Sequence, residues 1–423
     1  MQILKIGSRG PAVMQIQALL NKIGYDVGVI DGIYGSRTAA AVQRFQRNFG
    51  LLPTGVVDEN TYRLMNRFLL GYDFYRIRPG DTFYIIARRY GTTLSSIIIA
   101  NPTVNPNNLQ VGVEIKVPYS LDVVFTNIQY NYDIMRRDLE GLKARYPFIE
   151  VASAGKSELG KELYYVKLGN GPNKVFYNGS HHGIEWITTV LLMKFIENFA
   201  KAYAVGQNLE RYNIRDIWSK STIYVMPMVN PDGVDLVVNG LDRSNPYYND
   251  LIRWNKGSTD FSKTWSANIR GVDLNHNYDA MWQASKDAEK TYGVFGPGPT
   301  RYSGTAPESE SESKAVADFT RANNFRLVIA YHSQGEVIYW NYQNMATEEA
   351  RRIANIFSTL SGYELGETTG ITSFAGYKDW FIEKYRRPGY TIEVGLGVNP
   401  LPISQFDKIY KDNIEVLLEA AFV

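Results

Sequence analysis

The stretch KVFYNGSHHGIEW, residues 174–186, decides how the rest of the chain is read. Lys174 to Tyr177 is a short apolar run of strand length that breaks at Asn178-Gly179-Ser180, a turn sequence. A helical pattern begins directly afterwards, with Ile187, Val190, Leu191, Phe195 and Phe199 along one face. His182 and Glu185 therefore stand three apart at the first turn, where both side chains leave the same side. An imidazole and a carboxylate so placed supply two of the three protein ligands of a catalytic zinc, which needs one further donor and an open position. The competing reading is a loop histidine beside a carboxylate favoured by a helix N-terminus.

Histidine is scarce enough to weigh in that choice. His181, His182, His276 and His332 are the only four in 423 residues. His332 ends the apolar run Leu327 to Tyr331 in RLVIAYHSQGE, at the carboxyl end of a second predicted strand, so a third donor is available. Strands are predicted over 163–168, 174–177, 222–229, 327–331 and 390–394, with helices over 132–146, 186–204, 309–322 and 348–360. The alternation predicts an α/β domain with a largely parallel or mixed sheet and helices on both faces. The marked residues follow directly on these strands, with Glu393 just inside the last, as expected where an open α/β sheet binds ligands outside its strands' carboxyl ends.

Five motifs then follow in order: HGIE at 182–185, NPDG at 230–233, GVDLNHN at 271–277, the histidine of AYHS at 332, and TIEVG at 391–395. In this combination residues 119–423 resemble a zinc carboxypeptidase of the carboxypeptidase A-like family. The resemblance implies His182, Glu185 and His332 as ligands of one Zn2+ and Glu393 as general base. It places Asn255, in WNK at 254–256, where the family carries an arginine for the tetrahedral oxyanion; Arg253 and Arg270 are the remaining candidates, and Arg270 in NIRGVDLN is preferred. Asn275 matches the family's carboxylate-binding asparagine. His276 stands where the partner arginine would, and an imidazole cannot reproduce a bidentate guanidinium fork. Ile371 falls at the position of the family's mobile tyrosine, with Tyr377 close by as a residue that approaches substrate differently.

Two smaller units precede this domain. Residues 1–70 show three helical patterns separated by glycine turns, and GYDVGVIDGIYGSRT, AVQRFQRNFGL and TGVVDENTYRLM resemble a peptidoglycan-binding type 1 domain. Residues 73–118 read as strand, helix, helix, strand, over 74–77, 82–90, 94–100 and 113–117. YRIRPGDTFYIIARRYGTTLSSIIIANP and LQVGVEIKVP resemble a LysM domain, a family that binds N-acetylglucosamine-containing glycans. Its groove residues map onto Gly80, Asp81, Thr82, Asn101 and Pro102, which are also good turn and cap residues.

Composition agrees with several globular domains and excludes other classes. The chain is too long for one core. A net charge of +2 gives no sign of a nucleic-acid partner or a polybasic membrane anchor, and no apolar run reaches bilayer length. The absence of cysteine excludes disulfides, thiolate catalysis and thiolate metal ligands. Thirty tyrosines suit a protein that binds carbohydrate or another polar polymer. Met1 runs into MQILKIGSRGP without a charged and then an apolar region; read as the native start, it carries no ordinary signal peptide.

The departures at His276 and Ile371, joined to the two wall-binding units, resemble the bacterial γ-D-glutamyl-diamino acid endopeptidases. That resemblance implies a zinc-dependent murein peptidase cutting the γ-D-glutamyl to meso-diaminopimelate amide, with peptidoglycan as partner and a location at the cell wall, on the spore, or in the cytoplasm of a sporulating cell. The alternatives are a conventional carboxypeptidase acting on plain peptides, a murein amidase or carboxypeptidase of different bond preference, and a non-catalytic wall-binding protein.

Overall fold

The computed structural model describes residues 3–423. The chain divides into two compact units, Met1–Gln129 with Asp133–Glu150, and Tyr130–Tyr132 with Val151–Val423.

In the first unit the three expected helices are Pro11–Lys22, Ser36–Asn48 and Glu59–Leu70. Proline opens the first, where its missing N–H costs nothing, and Asp58 caps the third by accepting from Thr61 N at 2.8 Å. Val13, Leu19, Leu20, Val42, Phe45, Met65 and Leu69 are each buried. Two buried glutamines fasten the loops. Gln17 donates to Asp31 Oδ1 and Ile33 O while accepting from Gly32 N, and Gln46 donates to Thr61 Oγ1 and Val56 O while accepting from Gly55 N. Buried amides with both ends bonded fix a loop where apolar groups could not.

Strands β1 (Tyr72–Arg76) and β2 (Glu114–Pro118) pair antiparallel, with helices Phe83–Tyr90 and Leu94–Ala100 between them. This is the expected order, although β1 begins two residues earlier than the alternation alone indicated. Its register, Tyr72 opposite Pro118, extends the pairing to the end of the preceding helix. A further helix spans Tyr132–Arg145.

The second unit is built on an eight-stranded mixed sheet. Its strands are β3 (Glu150–Lys156), β4 (Glu162–Gly169), β5 (Asn173–Gly179), β8 (Ser221–Met226), β9 (Leu327–His332), β10 (Val337–Tyr339), β11 (Glu364–Gly366) and β12 (Gly389–Glu393); β6 (Asn208–Leu209) and β7 (Tyr212–Asn213) form a separate hairpin. The order is β11-β10-β12-β9-β5-β8-β4-β3. The central strands β12, β9, β5 and β8 run parallel, whereas β4 and β10 pair antiparallel with β8 and β12. Every residue of β8 and β9 is buried, as befits strands covered on both faces.

Alternation along β5 sends neighbouring rings to opposite layers. Phe176 joins a core with Phe325, Tyr377, Trp380 and Phe381, under helices Ser311–Asn323 and Tyr377–Tyr385. Tyr177 points the other way, packs on Phe195 of helix Ile187–Val205 and donates to Leu417 O of helix Phe406–Phe422. That last helix lies outside the predicted set, although Phe406, Ile409, Ile414, Leu417 and Ala421 carry its period and are buried. The three-residue strands β10 and β11 are too short to show a period. No helix among the described residues is long and apolar enough to cross a membrane.

Candidate metal centre

Three parallel strands deliver the site at their carboxyl ends. After β5 the chain makes a single 3-10 turn, Gly183–Glu185, with His182 just before it. His332 is the last residue of β9 and Glu393 the last of β12, and the register sets those two side by side. His182 Nδ1 lies 2.8 Å from Glu185 Oε1, and His332 Nδ1 lies 2.9 Å from Glu185 Oε2, so both imidazoles converge on one carboxylate. The donor atoms of His182, Glu185 and His332 all lie within 4.8 Å of one another. The sequence reading brought these three together across 151 positions, and the fold brings them together in space.

The donor set fits a divalent metal such as zinc: two imidazoles and a carboxylate whose ligand atoms converge on one point, with Glu185 and His332 buried. Electrostatics point the same way. Burial opposes charge on His182, yet the carboxylates of Glu185 and Asp273 hold its imidazole well above the ordinary range. Burial likewise opposes charge on Glu185, and His182 and His332 hold its carboxyl low. Concentrated negative potential of this kind is what a divalent cation satisfies. Burial and then the Glu185 charge push half-buried Glu393 well above the usual carboxylate range.

Asp273 is the functional residue that sequence reasoning passed over. Its Oδ1 lies 3.0 Å from His182 Nε2, while its Oδ2 accepts from Arg301 N at 2.8 Å and Thr300 Oγ1 at 3.1 Å. A carboxylate on the far nitrogen fixes the ring and leaves Nδ1 facing Glu185. The signal was present, since Asp273 lies inside GVDLNHN, but only Asn275 and His276 were singled out there. His181 is a packing residue: its ring stacks on His332 with centroids 5.5 Å apart, its Nε2 meets Tyr278 Oη at 2.9 Å, and burial keeps its imidazole neutral.

The NPDG motif builds the floor. Asn230 Nδ2 donates to His181 O and Ala267 O, and Asn230 Oδ1 accepts from Gly233 N. Gly183 and Gly233 face each other so closely that a Cβ on Gly183 would stand 2.6 Å from the Gly233 carbonyl. Any side chain there would push the His182 turn away from its floor.

The other predicted residues are placed as follows. Arg270 lies 3.6 Å from Glu158 and 3.7 Å from Glu310, and those carboxylates are its partners. Arg253 is exposed and pairs with Asp250. Asn255 donates to Ser258 O and Asp260 O. Asn275 Oδ1 accepts from Tyr377 N at 3.1 Å, and His276 Nδ1 lies 3.3 Å from Ser285 Oγ, with burial lowering its basicity. Tyr377 departs from expectation. It is fully buried, its ring stacks on His181, and its hydroxyl lies 2.9 Å from Thr320 Oγ1, so it serves the core rather than an open substrate face. Ile371 is also buried.

In the first unit, three of the five residues mapped to a glycan groove have bonds inside the fold. Asp81 accepts from Tyr75 Oη and Arg78 N, Thr82 caps its helix through Ile85 N, and Asn101 bonds Ile97 O and both polar backbone groups of Lys116. Gly80 and Pro102 are exposed.

Three family profiles match the chain: zinc carboxypeptidase over residues 135–416, a peptidoglycan binding domain over 9–65, and a LysM domain over 75–118. The chain is 39% identical to gamma-D-glutamyl-L-diamino acid endopeptidase 1 of Lysinibacillus sphaericus, covering 82% of this chain and 99% of that one. It is 27% identical to carboxypeptidase B of Bos taurus, with 62% of each covered. The crystal structure of thrombin activatable fibrinolysis inhibitor shares its fold, at a TM-score of 0.54 and 18% identity over 83% of this chain and 98% of that one.

Proposed function

The chain belongs to the zinc carboxypeptidase family, and we propose that it is a zinc-dependent murein peptidase. Its bond is the amide between the γ-carboxyl of D-glutamate and the L-centre of meso-diaminopimelate in peptidoglycan stem peptides. The observation that carries this reading is the likeness to the Lysinibacillus endopeptidase, which extends over nearly that protein's whole length.

His182, Glu185 and His332 would hold one Zn2+ per chain. Zinc in such a donor set polarises a carbonyl as a Lewis acid and lowers the pKa of water to about 7. Glu393, the last residue of β12 and paired in register with His332, is placed to take a proton from the attacking water. As the C–N bond breaks, the same carboxyl returns that proton to the departing amine. Asp273 holds the His182 ring throughout, and Asn275 lies beside it in the sequence to meet a substrate carboxylate, with His276 in place of an arginine fork. Arg270 stays the candidate cation for the oxyanion only if substrate draws it from Glu158 and Glu310.

The peptidoglycan-binding and LysM domains would keep the catalytic unit at the cell wall and raise its local concentration on the polymer. Gly80, Asp81, Thr82, Asn101 and Pro102 remain the proposed glycan contacts, with the domain bounds 1–70, 73–118 and 119–423.

Mass spectrometry of L-Ala-γ-D-Glu-meso-diaminopimelate incubated with the protein tests the reading. Release of diaminopimelate by the wild type, but not by Glu393→Gln or after chelation, is the expected result. An intact stem peptide alongside loss of C-terminal residues from plain peptides would replace it with the conventional carboxypeptidase reading.

A further inference from the structure

A cation stands at the edge of the cluster with no carboxylate paired to it among the described residues. Arg301 is exposed, and its backbone N–H donates to the Asp273 carboxylate that also holds His182, so one side chain separates it from a candidate metal ligand. Its φ of +66° lies in the left-handed region, which costs an arginine about 1–2 kcal/mol. The bond to Asp273 offsets that cost and fixes where the side chain departs. The guanidinium lies 5.5 Å over the ring of Tyr292, whose hydroxyl abuts Gly370. Stacking of this kind holds the plane of the fork without consuming its donors.

Arg253, Arg270, Arg321 and Arg326 each face a carboxylate, whereas among the described residues none pairs with Arg301. Its charge also reaches His276 and contributes to lowering that imidazole. A fixed, unpaired guanidinium beside a hydrolytic site is suited to an anionic substrate group.

The proposed substrate offers one such group in every stem. Linkage through the γ-carboxyl leaves the α-carboxylate of D-glutamate free beside the scissile carbonyl. On the other side, the D-centre of meso-diaminopimelate carries an ammonium and a carboxylate that cancel, and its L-centre carboxyl is amide-linked wherever the stem continues. We infer that Arg301 is a specificity residue that binds the free α-carboxylate of D-glutamate on the acyl side of the scissile amide. This rests on the murein-peptidase reading above.

The test compares L-Ala-γ-D-Glu-meso-diaminopimelate with its α-amide, using zinc-loaded wild type, Arg301→Gln, Arg301→Ala and Arg301→Lys. The wild type should favour the free acid by about 10- to 100-fold in kcat/KM, the scale of a charge-assisted pair. Arg301→Gln and Arg301→Ala should bring the two substrates together chiefly by raising KM for the acid, and Arg301→Lys should restore part of the preference. Calorimetry supplies a readout without turnover: L-Ala-D-Glu should bind the wild type more tightly than its α-amide, and the two should bind Arg301→Gln alike. If the variants keep the wild-type preference, or slow both substrates equally, the inference falls while the murein reading stands. If the wild type cuts neither substrate, the murein reading falls and takes the inference with it.

Discussion

Replacing Asp273 by asparagine asks whether the centre depends on the carboxylate behind His182. The change is nearly isosteric but removes the charge, and it leaves one acceptor where the structure uses two. If the amide oxygen turns to Arg301 N and Thr300 Oγ1, its NH2 group faces His182 Nε2 and forces the ring proton onto Nδ1, the nitrogen that faces Glu185. If it turns the other way, Arg301 N loses its acceptor. A hydrogen bond to a charged group contributes about 1.5–3 kcal/mol, which is roughly 10- to 150-fold in an equilibrium constant. Partners behind metal ligands alter affinity by about 10- to 100-fold, so two separate routes reach the same range. Zinc affinity should be measured by competition with a chromophoric chelator near pH 7.5, with Glu393→Gln as a control that leaves all three donors intact. Asp273→Asn should bind zinc about 10- to 100-fold more weakly, while the control stays within about threefold. A wild-type affinity in a correctly folded Asp273→Asn protein would refute the idea that this carboxylate orients His182.

Other outcomes follow from the same geometry. Glu393→Gln should lower kcat by about 10²- to 10⁴-fold with KM little changed, as loss of a general base does, and steady-state kinetics at saturating zinc check it. Gly183→Ala forces a methyl group against the Gly233 backbone, so thermal stability and zinc affinity should fall together; wild-type Tm and zinc affinity in that protein would refute the close approach. Tyr377→Phe should cost about 1 kcal/mol of stability through Thr320 and leave kcat/KM within about threefold; a tenfold loss of kcat/KM without a shift in Tm would return Tyr377 to the substrate face. Glu312 is fully buried, and burial together with Asp232 pushes its carboxyl up to about 8. A carboxyl raised in the folded state binds its proton more tightly there, so its contribution is complete below about pH 4.5 and is lost as pH rises through 8. Urea titrations should show wild-type stability falling across that window by several kcal/mol more than Glu312→Gln; parallel slopes would sink the assignment.

Much of the catalytic unit was legible because its chemistry is written in scarce residues at strand ends. With four histidines in the chain, His182 and His332 had few competitors as donors, and Glu185 followed from spacing along one turn. The parallel strands β5, β9 and β12 announced themselves as apolar runs because they are buried on both faces. The same logic failed where local pattern is weak: β10 and β11 are three residues long, and the helix Phe406–Phe422 kept its period but had no motif to draw attention to it.

In the sequence by itself, periodicity sets the α/β class, residue type and spacing mark His182, Glu185 and His332 as candidate metal donors, and the domain order and the role of Glu393 are read from resemblance to known families. Tertiary structure alone decided which neighbours those residues have. Asp273 lies 91 positions from His182, and no local rule links an aspartate in one loop to an imidazole in another. Tyr377 read as a residue that approaches substrate until the fold buried it against His181, and nothing in the sequence marked Arg301, whose backbone the fold ties to Asp273. Donor identity is a property of the side chain and can be read in one dimension. Orientation, burial and charge compensation are properties of pairs, and they exist only once the strands have brought distant residues together.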